Sequence, residues 1–377
     1  MLNEFRLPGV IHFGWGALER LADEAPRLGR RALLVTGRSS MKKSGVADRV
    51  QGLLTQAGVT FVVYDQVESD PSATTVDKGA ELARAESCDL VIGLGGGSPM
   101  DAARAIAAMA RLDGSIVDYL GGKPIDRPGL PLLNIATTSG TASEITPVSV
   151  VLHEERELKM GVKSPYWFAR VAITDPELTL TMPPSLTAAT GLDALTHAIE
   201  SHLSTQATPP TEALSLRAVE LIGRHLRRAV ADGGDRAARE GMSLGSMIAG
   251  MAFANAGLGL VHGLVHPIGA RHGLPHGAAC ARLLPYVLRY NQPVTEEKLA
   301  QIGLALSGAA GAEQAISAVE DLVRDVGLPC GIGDLHIADD EMPGLAKDGL
   351  VSGAVKTNPR PVSEEEARAV LEKARGG

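Results

Sequence analysis

Cysteine is scarce: the 377 residues carry three, Cys88, Cys280 and Cys330. Odd in number and widely spaced, they exclude a disulfide framework and a cysteine-based zinc motif. They are expected to be buried or idle thiols in a reducing cytosol. Positive charge is also in deficit. Lys and Arg number 36 against 44 Asp and Glu, for a net charge of −8. A broad nucleic-acid surface, which needs clustered Lys and Arg, is therefore not expected. The balance suits a small neutral or cationic substrate, and solubility accounts for it equally well. Long apolar runs are missing. None reaches the roughly 20 residues that a bilayer span needs. The start, MLNEFRLPGVIHFG, lacks the basic and long apolar regions of a secretory signal, so the expected location is cytoplasmic. No internal repeat or low-complexity tract stands out.

What remains is a globular composition, 45% apolar and 21% charged, in a chain too long for one ordinary core. Two domains are expected, 1–183 and 184–377. In the first, strand-like and helix-like segments alternate. RALLVT (31–36), TFVVYD (60–65) and DLVIGLGGG (89–97) read as strands, and 41–57, 75–87 and 99–111 as helices. The alternation implies an open parallel sheet covered on both faces. From the prolines at 183–184 onward, helical periodicity takes over. Segments 210–231, 236–257, 294–309, 312–326 and 363–375 read as helices, and the second domain is expected to be all-α.

Gly95, Gly96 and Gly97 follow a strand and precede a helix. Without Cβ atoms the backbone can turn sharply and approach a phosphate, which the helix N-terminus favours. The spacing is not GxGxxG, and a plain structural turn would look the same. A second segment, NIATTSGTASE (134–144), runs from an apolar strand into hydroxyl residues. There Thr137, Thr138, Ser139 and Thr141 could donate to phosphate or ribose oxygens, or simply make local turn bonds. Both strand ends lie where open α/β sheets bind ligands.

Asp193 and His197 are four apart in TGLDALTHAIE and share one helix face. Downstream, four of the ten histidines, His262, His266, His272 and His276, fall within fifteen residues. One carboxylate and three imidazoles can hold a divalent ion, and such a set suits Fe(II), Zn(II), Mn(II) or Co(II). Spacing does not select among the four histidines, and His262 with His266 could bind metal alone.

The segments GLGGGSPMDAARAIA, TTSGTASEIT, GLDALTHAIE, MAFANAGLGLVHGLVHPIGARHGLPHG and LLPYVLRYN resemble those of the iron-containing alcohol dehydrogenase family. The resemblance extends over nearly the whole chain. It implies a dehydroquinate synthase-like fold, an α/β nucleotide-binding domain followed by an all-α domain. It also implies NAD(P)-dependent interconversion of alcohols with aldehydes or ketones, and a homodimer or larger homo-oligomer. Carried over by position, it makes Asp193, His197, His262 and His276 the ligands of Fe(II) or Zn(II). It gives His266 a proton-relay role, with a packing histidine as the alternative. It sets His272 aside and places Phe253 in the substrate pocket. The cofactor contacts it implies are Gly37, Arg38, Asp70, Gly95, Gly96, Gly97, Ser98, Asp101, Thr137, Thr138, Ser139, Thr141 and Lys159.

Three positions depart from the family pattern. Gly37 stands where many relatives carry an Asp that binds the adenosine ribose and repels a 2′-phosphate. With Arg38 beside it and Lys42 and Lys43 near, the chain is expected to favour NADP over NAD. Asp70 replaces a frequent Asn, and Ala136 a frequent Pro. The rival readings share the fold: a maleylacetate reductase-like enzyme, which tends to lack the full ligand set, and a hydroxyacid–oxoacid transhydrogenase. A dehydroquinate synthase-like lyase is a rival of another class. A non-catalytic nucleotide-binding scaffold remains if the chain binds no metal.

Overall fold

The computed structural model describes residues 4–376. Its strands are β1 (Val10–Phe13), β2 (Arg31–Gly37), β3 (Thr60–Val67), β4 (Leu90–Gly95), β5 (Leu132–Ala136), β6 (Val148–His153), β7 (Leu158–Lys163) and β8 (Val171–Thr174). The first helices are α1 (Leu21–Leu28), α2 (Ser40–Lys43), α3 (Val46–Gln56), α4 (Ala73–Ala85), α5 (Gly97–Met109) and α6 (Ile116–Leu120). Then follow α7 (Pro184–Leu203), α8 (Pro209–Ala231), α9 (Arg236–Ala256), α10 (Leu260–His272), α11 (His276–Ser307), α12 (Ala312–Asp325), α13 (Met342–Leu350) and α14 (Glu364–Arg375).

The chain divides into two compact units. One comprises Leu7–Thr138 and Ala142–Thr181; the other runs from Met182 on and takes in Ser139–Thr141 and the segment ending at Arg6.

In the first unit six strands form a parallel sheet in the order β1-β8-β5-β4-β2-β3. Its strands are apolar on both faces because both are covered. Leu33 and Val35 of β2 join one core cluster, while Ala32 and Leu34 join the other. β2 continues outward to β3, whereas β4 continues the opposite way to β5. The reversal leaves a crevice at the carboxyl ends of β2 and β4, the kind of position where open α/β sheets take ligands. β6 and β7 make a separate antiparallel hairpin.

The second unit is helical among its described residues. α7 is its central helix, packed against α8, α9 and α11. Apolar and small residues occupy most of its circumference, so it is buried nearly all round. The helix expected at 294–309 is the latter part of α11, which is bent where Thr295 leaves helical geometry. Pro293, two residues earlier, cannot supply a backbone N–H there. No single helix among the described residues is long and apolar enough to cross a membrane.

Candidate metal centre and nucleotide cradle

α7, α10 and α11 each bring part of the charged cluster. On α7, Asp193, His197 and Glu200 fall at i, i+4 and i+7 and so share a face. α10 carries His262 and His266, and His276 opens α11. Gly277 allows the approach of α11 to α7. A Cβ there would overlap the Ala189 carbonyl and lie 3.1 Å from Asp193 Cβ.

Asp193 Oδ1 is the focus. It lies 3.8 Å from His197 Nε2, 3.7 Å from His262 Nε2 and 3.6 Å from His276 Nε2. Asp193, His197 and His262 are buried, while the His276 side chain is 33% exposed and forms the open edge. These separations are too long for hydrogen bonds, and Asp193 Oδ1 is buried with no partner. Ligands bound about 2.1 Å from one ion stand roughly 3.4 Å apart, so a divalent cation fits the space that hydrogen bonds do not fill.

The surrounding groups hold the donors in place. Glu200 Oε2 is 2.6 Å from His262 Nδ1, and its Oε1 accepts from the Val261 backbone N–H at 2.7 Å. With Nδ1 held by Glu200, Nε2 is the nitrogen that faces Asp193, and it offers a lone pair to an ion once its proton has left. Burial opposes charge on Asp193, yet His197, His262 and His276 hold its carboxyl well below the usual range. Burial pushes His197 down to about 3, keeping it a neutral donor. Burial works against charge on His262 too, but Cys280 and Glu200 outweigh it and raise its pKa. His197 stacks between Phe253 and His262, with centroids 4.3 and 4.6 Å away. His266 sits beside His276 at 5.5 Å. His272 is engaged by Glu341 at 2.9 Å.

At the other cluster, Gly95 ends β4 with φ of 145°, a backbone that favours glycine. A side chain there would press on Pro99 at 2.9 Å. The α5 N-terminus has no side-chain cap, so its first N–H groups and positive dipole end suit an anion. Ser98 Oγ accepts from the Asp70 backbone N–H at 3.2 Å, and Lys159 Nζ pairs with Asp70 Oδ2 at 2.7 Å. Thr138 borders Gly96. Thr137 is buried, its N–H donating to Gly95 O at 2.9 Å. Ser139 is buried against Ser243, their hydroxyls 3.0 Å apart. Thr141, half-buried, follows in the same loop. Asp101 faces inward, where it accepts from Arg104 Nη1, Ser143 Oγ and the Val150 N–H. Gly37 closes β2 with room around it, the nearest atoms to a Cβ being 3.7 and 3.8 Å away. Arg38 is exposed, and Lys42 is paired with Asp65 at 2.5 Å.

Residues 8–176 match the family model for iron-containing alcohol dehydrogenase, and residues 187–375 match the model for that family's C-terminal part. The chain belongs to the iron-containing alcohol dehydrogenase family. It is 41% identical to long-chain-alcohol dehydrogenase 1 of Geobacillus thermodenitrificans, over 98% of this chain and 96% of that one. Its structure is similar to a crystal structure of 1,3-propanediol oxidoreductase, with TM-score 0.95, 38% identity and coverage of 99% and 100%. It is also similar to sulfoacetaldehyde reductase from Bifidobacterium kashiwanohense, solved in complex with NAD+, with TM-score 0.90, 31% identity and coverage of 100% and 99%. The expected dehydroquinate synthase-like fold and the alcohol dehydrogenase or carbonyl reductase class both hold for this family member.

Two residues at the metal centre escape a reading by ligand type. Glu200 was legible in principle, because it lies seven after Asp193 on the same helix face. Cys280, set aside as a buried thiol, is buried four residues after His276 on α11, and its sulfur joins Asp193, His262 and His276 within 4.8 Å. Burial pushes its thiol up to about 12.

Proposed function

We propose that this family member catalyses reversible, nicotinamide-linked oxidation of a small alcohol to its aldehyde or ketone, with a divalent ion held by Asp193, His197, His262 and His276. The observation that carries the reading is Asp193 Oδ1, buried without a partner and equidistant within a few tenths of an ångström from three imidazole nitrogens. When bound, the ion supplies Lewis acidity toward a C–O group and the nicotinamide supplies the hydride acceptor. Every other part belongs to the protein. Glu200 orients His262 through Nδ1. Phe253 supports His197 and walls the substrate side. His276, the exposed member, borders substrate entry. His266 beside it takes the alcohol proton on an imidazole nitrogen and passes it to solvent.

We assign the nucleotide to residues 1–183 and the metal chemistry to 184–377. The pyrophosphate rests on the N-terminus of α5 behind Gly95, Gly96, Gly97 and Ser98, with Thr138 beside it. Asp101, held by Arg104, braces this turn, while Thr137 and Ser139 hold the neighbouring loop. The Lys159–Asp70 pair places Lys159 against the same turn. NAD is accepted, as in the NAD+-bound relative. Gly37 and Arg38 open the ribose end to the 2′-phosphate of NADP, which is preferred. Iron is the expected ion and zinc the alternative. The active form is a homodimer or larger assembly in the cytoplasm.

An anaerobic panel of alcohols and aldehydes, run with both cofactors, tests the reading. Asp193→Ala and His262→Ala are each expected to abolish turnover, and full activity in both would refute it. Arg38→Ala is expected to lower kcat/KM for NADP about tenfold, the worth of one charge-assisted phosphate contact, and to spare NAD. A wild type that strongly favours NAD contradicts the preference. The transhydrogenase reading gains only if turnover needs a second carbonyl substrate with no net cofactor change.

A further inference from the structure

The cluster holds one more donor than the proposed function uses. Cys280 Sγ lies 3.8 Å from His276 Nε2 and 3.9 Å from His262 Nε2. Together with Asp193, these atoms all lie within 4.8 Å of one another. His197 is not part of this mutually close set. The position follows from the helix, since His276 and Cys280 are one turn apart on α11. Nitrogen and sulfur donors on one tetrahedral ion stand about 3.6 Å apart, given bonds of roughly 2.1 and 2.3 Å. The separations to Cys280 exceed that by only a few tenths, a gap that small rotamer adjustments close. Cys280 is fully buried. Independently, the partnerless oxygen of Asp193, 2% exposed, is aimed at the same point.

We propose that Cys280 is a protein ligand of the divalent ion, so that Asp193, His262, His276 and Cys280 form a second donor set that competes with the one containing His197. The inference rests on the metal-centre reading of the preceding section. Coordination breaks the S–H bond. The proton leaves to solvent, the thiolate lone pair makes the bond to the ion, and nothing is oxidised or reduced. A thiolate is a softer donor than imidazole or carboxylate, so this second set favours zinc over ferrous iron. A centre built from Asp193 and histidines alone lacks that bias. Cys280 thus acts as a selectivity-determining residue for the ion, at a position where a cysteine would otherwise pass for core filling.

The test loads the full chain with Co(II), a spectroscopic stand-in for zinc, and records absorption for the wild type, Cys280→Ala and Cys280→Ser. The expected result is visible cobalt bands in all three proteins, with a near-ultraviolet sulfur-to-cobalt charge-transfer band only in the wild type. Visible bands without the charge-transfer band in the wild type overturn the proposal and leave the metal centre standing. So does a charge-transfer band that survives in both variants, because it would arise from another sulfur. A wild type that binds no cobalt overturns the metal centre itself, and the ligand proposal with it. If one variant fails to fold, the other carries the comparison. A parallel loading with equal ferrous iron and zinc is expected to show a lower zinc share in Cys280→Ala, and an unchanged share contradicts the selectivity role.

Discussion

Both units bury charge, and they do so in opposite ways. In the α/β unit Arg104 is fully enclosed, Asp101 is mostly so, and both are fully engaged. Arg104 donates to Asp101, to Ser143 Oγ and to the backbone oxygens of Ser143, Val148 and Trp167. Burial pushes Asp101 up and Arg104 down, and their mutual attraction opposes both shifts. In the helical unit Asp193 is just as buried, yet one oxygen has no partner and three imidazoles stand just beyond hydrogen-bond reach. A satisfied buried pair is scaffolding that ties α5 to the segments around residues 143–150 and 167. An unsatisfied convergent set costs free energy unless a cation completes it. The difference separates a brace from a binding site more sharply than burial or residue type.

The contrast is strongest where one charge is removed from each place. Asp193→Asn keeps the shape and deletes the charge. Turnover is expected to fall at least about 10³-fold, a few kcal/mol of lost Lewis-acid positioning. The urea midpoint of the metal-free protein should fall only slightly, because the attraction of three imidazoles is lost but no hydrogen bond to Asp193 Oδ1 is. Arg104→Leu should do the reverse. It strands Asp101 and is expected to cost about 3–5 kcal/mol in urea unfolding, and equal stability of the two variants would erase the distinction.

Glu144 offers a pH test confined to the α/β unit. It is buried, accepts from Thr174 Oγ1 at 3.1 Å, and is pushed by burial from 4.5 to about 7. The folded state holds the proton more tightly than the unfolded chain. Its contribution is therefore full below about pH 4.5 and is lost as the pH rises through 7. Glu144→Gln should gain up to about 3 kcal/mol relative to wild type between pH 4.5 and pH 8. A gain that does not change with pH would mean that the carboxyl is ionised throughout. The smallest effect concerns the support of a proposed ligand rather than the ligand itself. Glu200→Gln weakens the hold on His262 and is expected to lower metal affinity 10–100-fold, read by competition with a chromogenic chelator. Unchanged affinity would leave Glu200 a packing residue.

The sequence carried the architecture where periodicity is long. β2, β3, β4 and α4 are legible because each apolar run ends in a turn and the helix shows its own period, whereas the helix expected at 41–57 is split into α2 and α3 at Gly45, whose φ is 74°. β1 and β8 are four residues each, too short for a pattern, and only the parallel sheet gives them partners. The β6–β7 hairpin escapes for a similar reason, since its identity depends on pairing. Of α11 only 294–309 reads as a helix, because the prolines at 285 and 293 look like stops; the helix runs through Pro285, whereas beside Pro293 its geometry does break, at Thr295. At the candidate metal centre the aspartate and histidines stand out by type and spacing. Which imidazoles converge is not local information, and there the family resemblance supplied the choice. Glu200 and Cys280 stayed silent because their roles depend on a neighbouring helix.

The most direct test is the metal content of the full chain after equilibration with a divalent ion and removal of the excess. We predict one ion per chain in the wild type and none in Asp193→Ala. A full complement retained by Asp193→Ala, or none held by the wild type, would contradict the assignment of this carboxylate and its imidazoles as a metal centre.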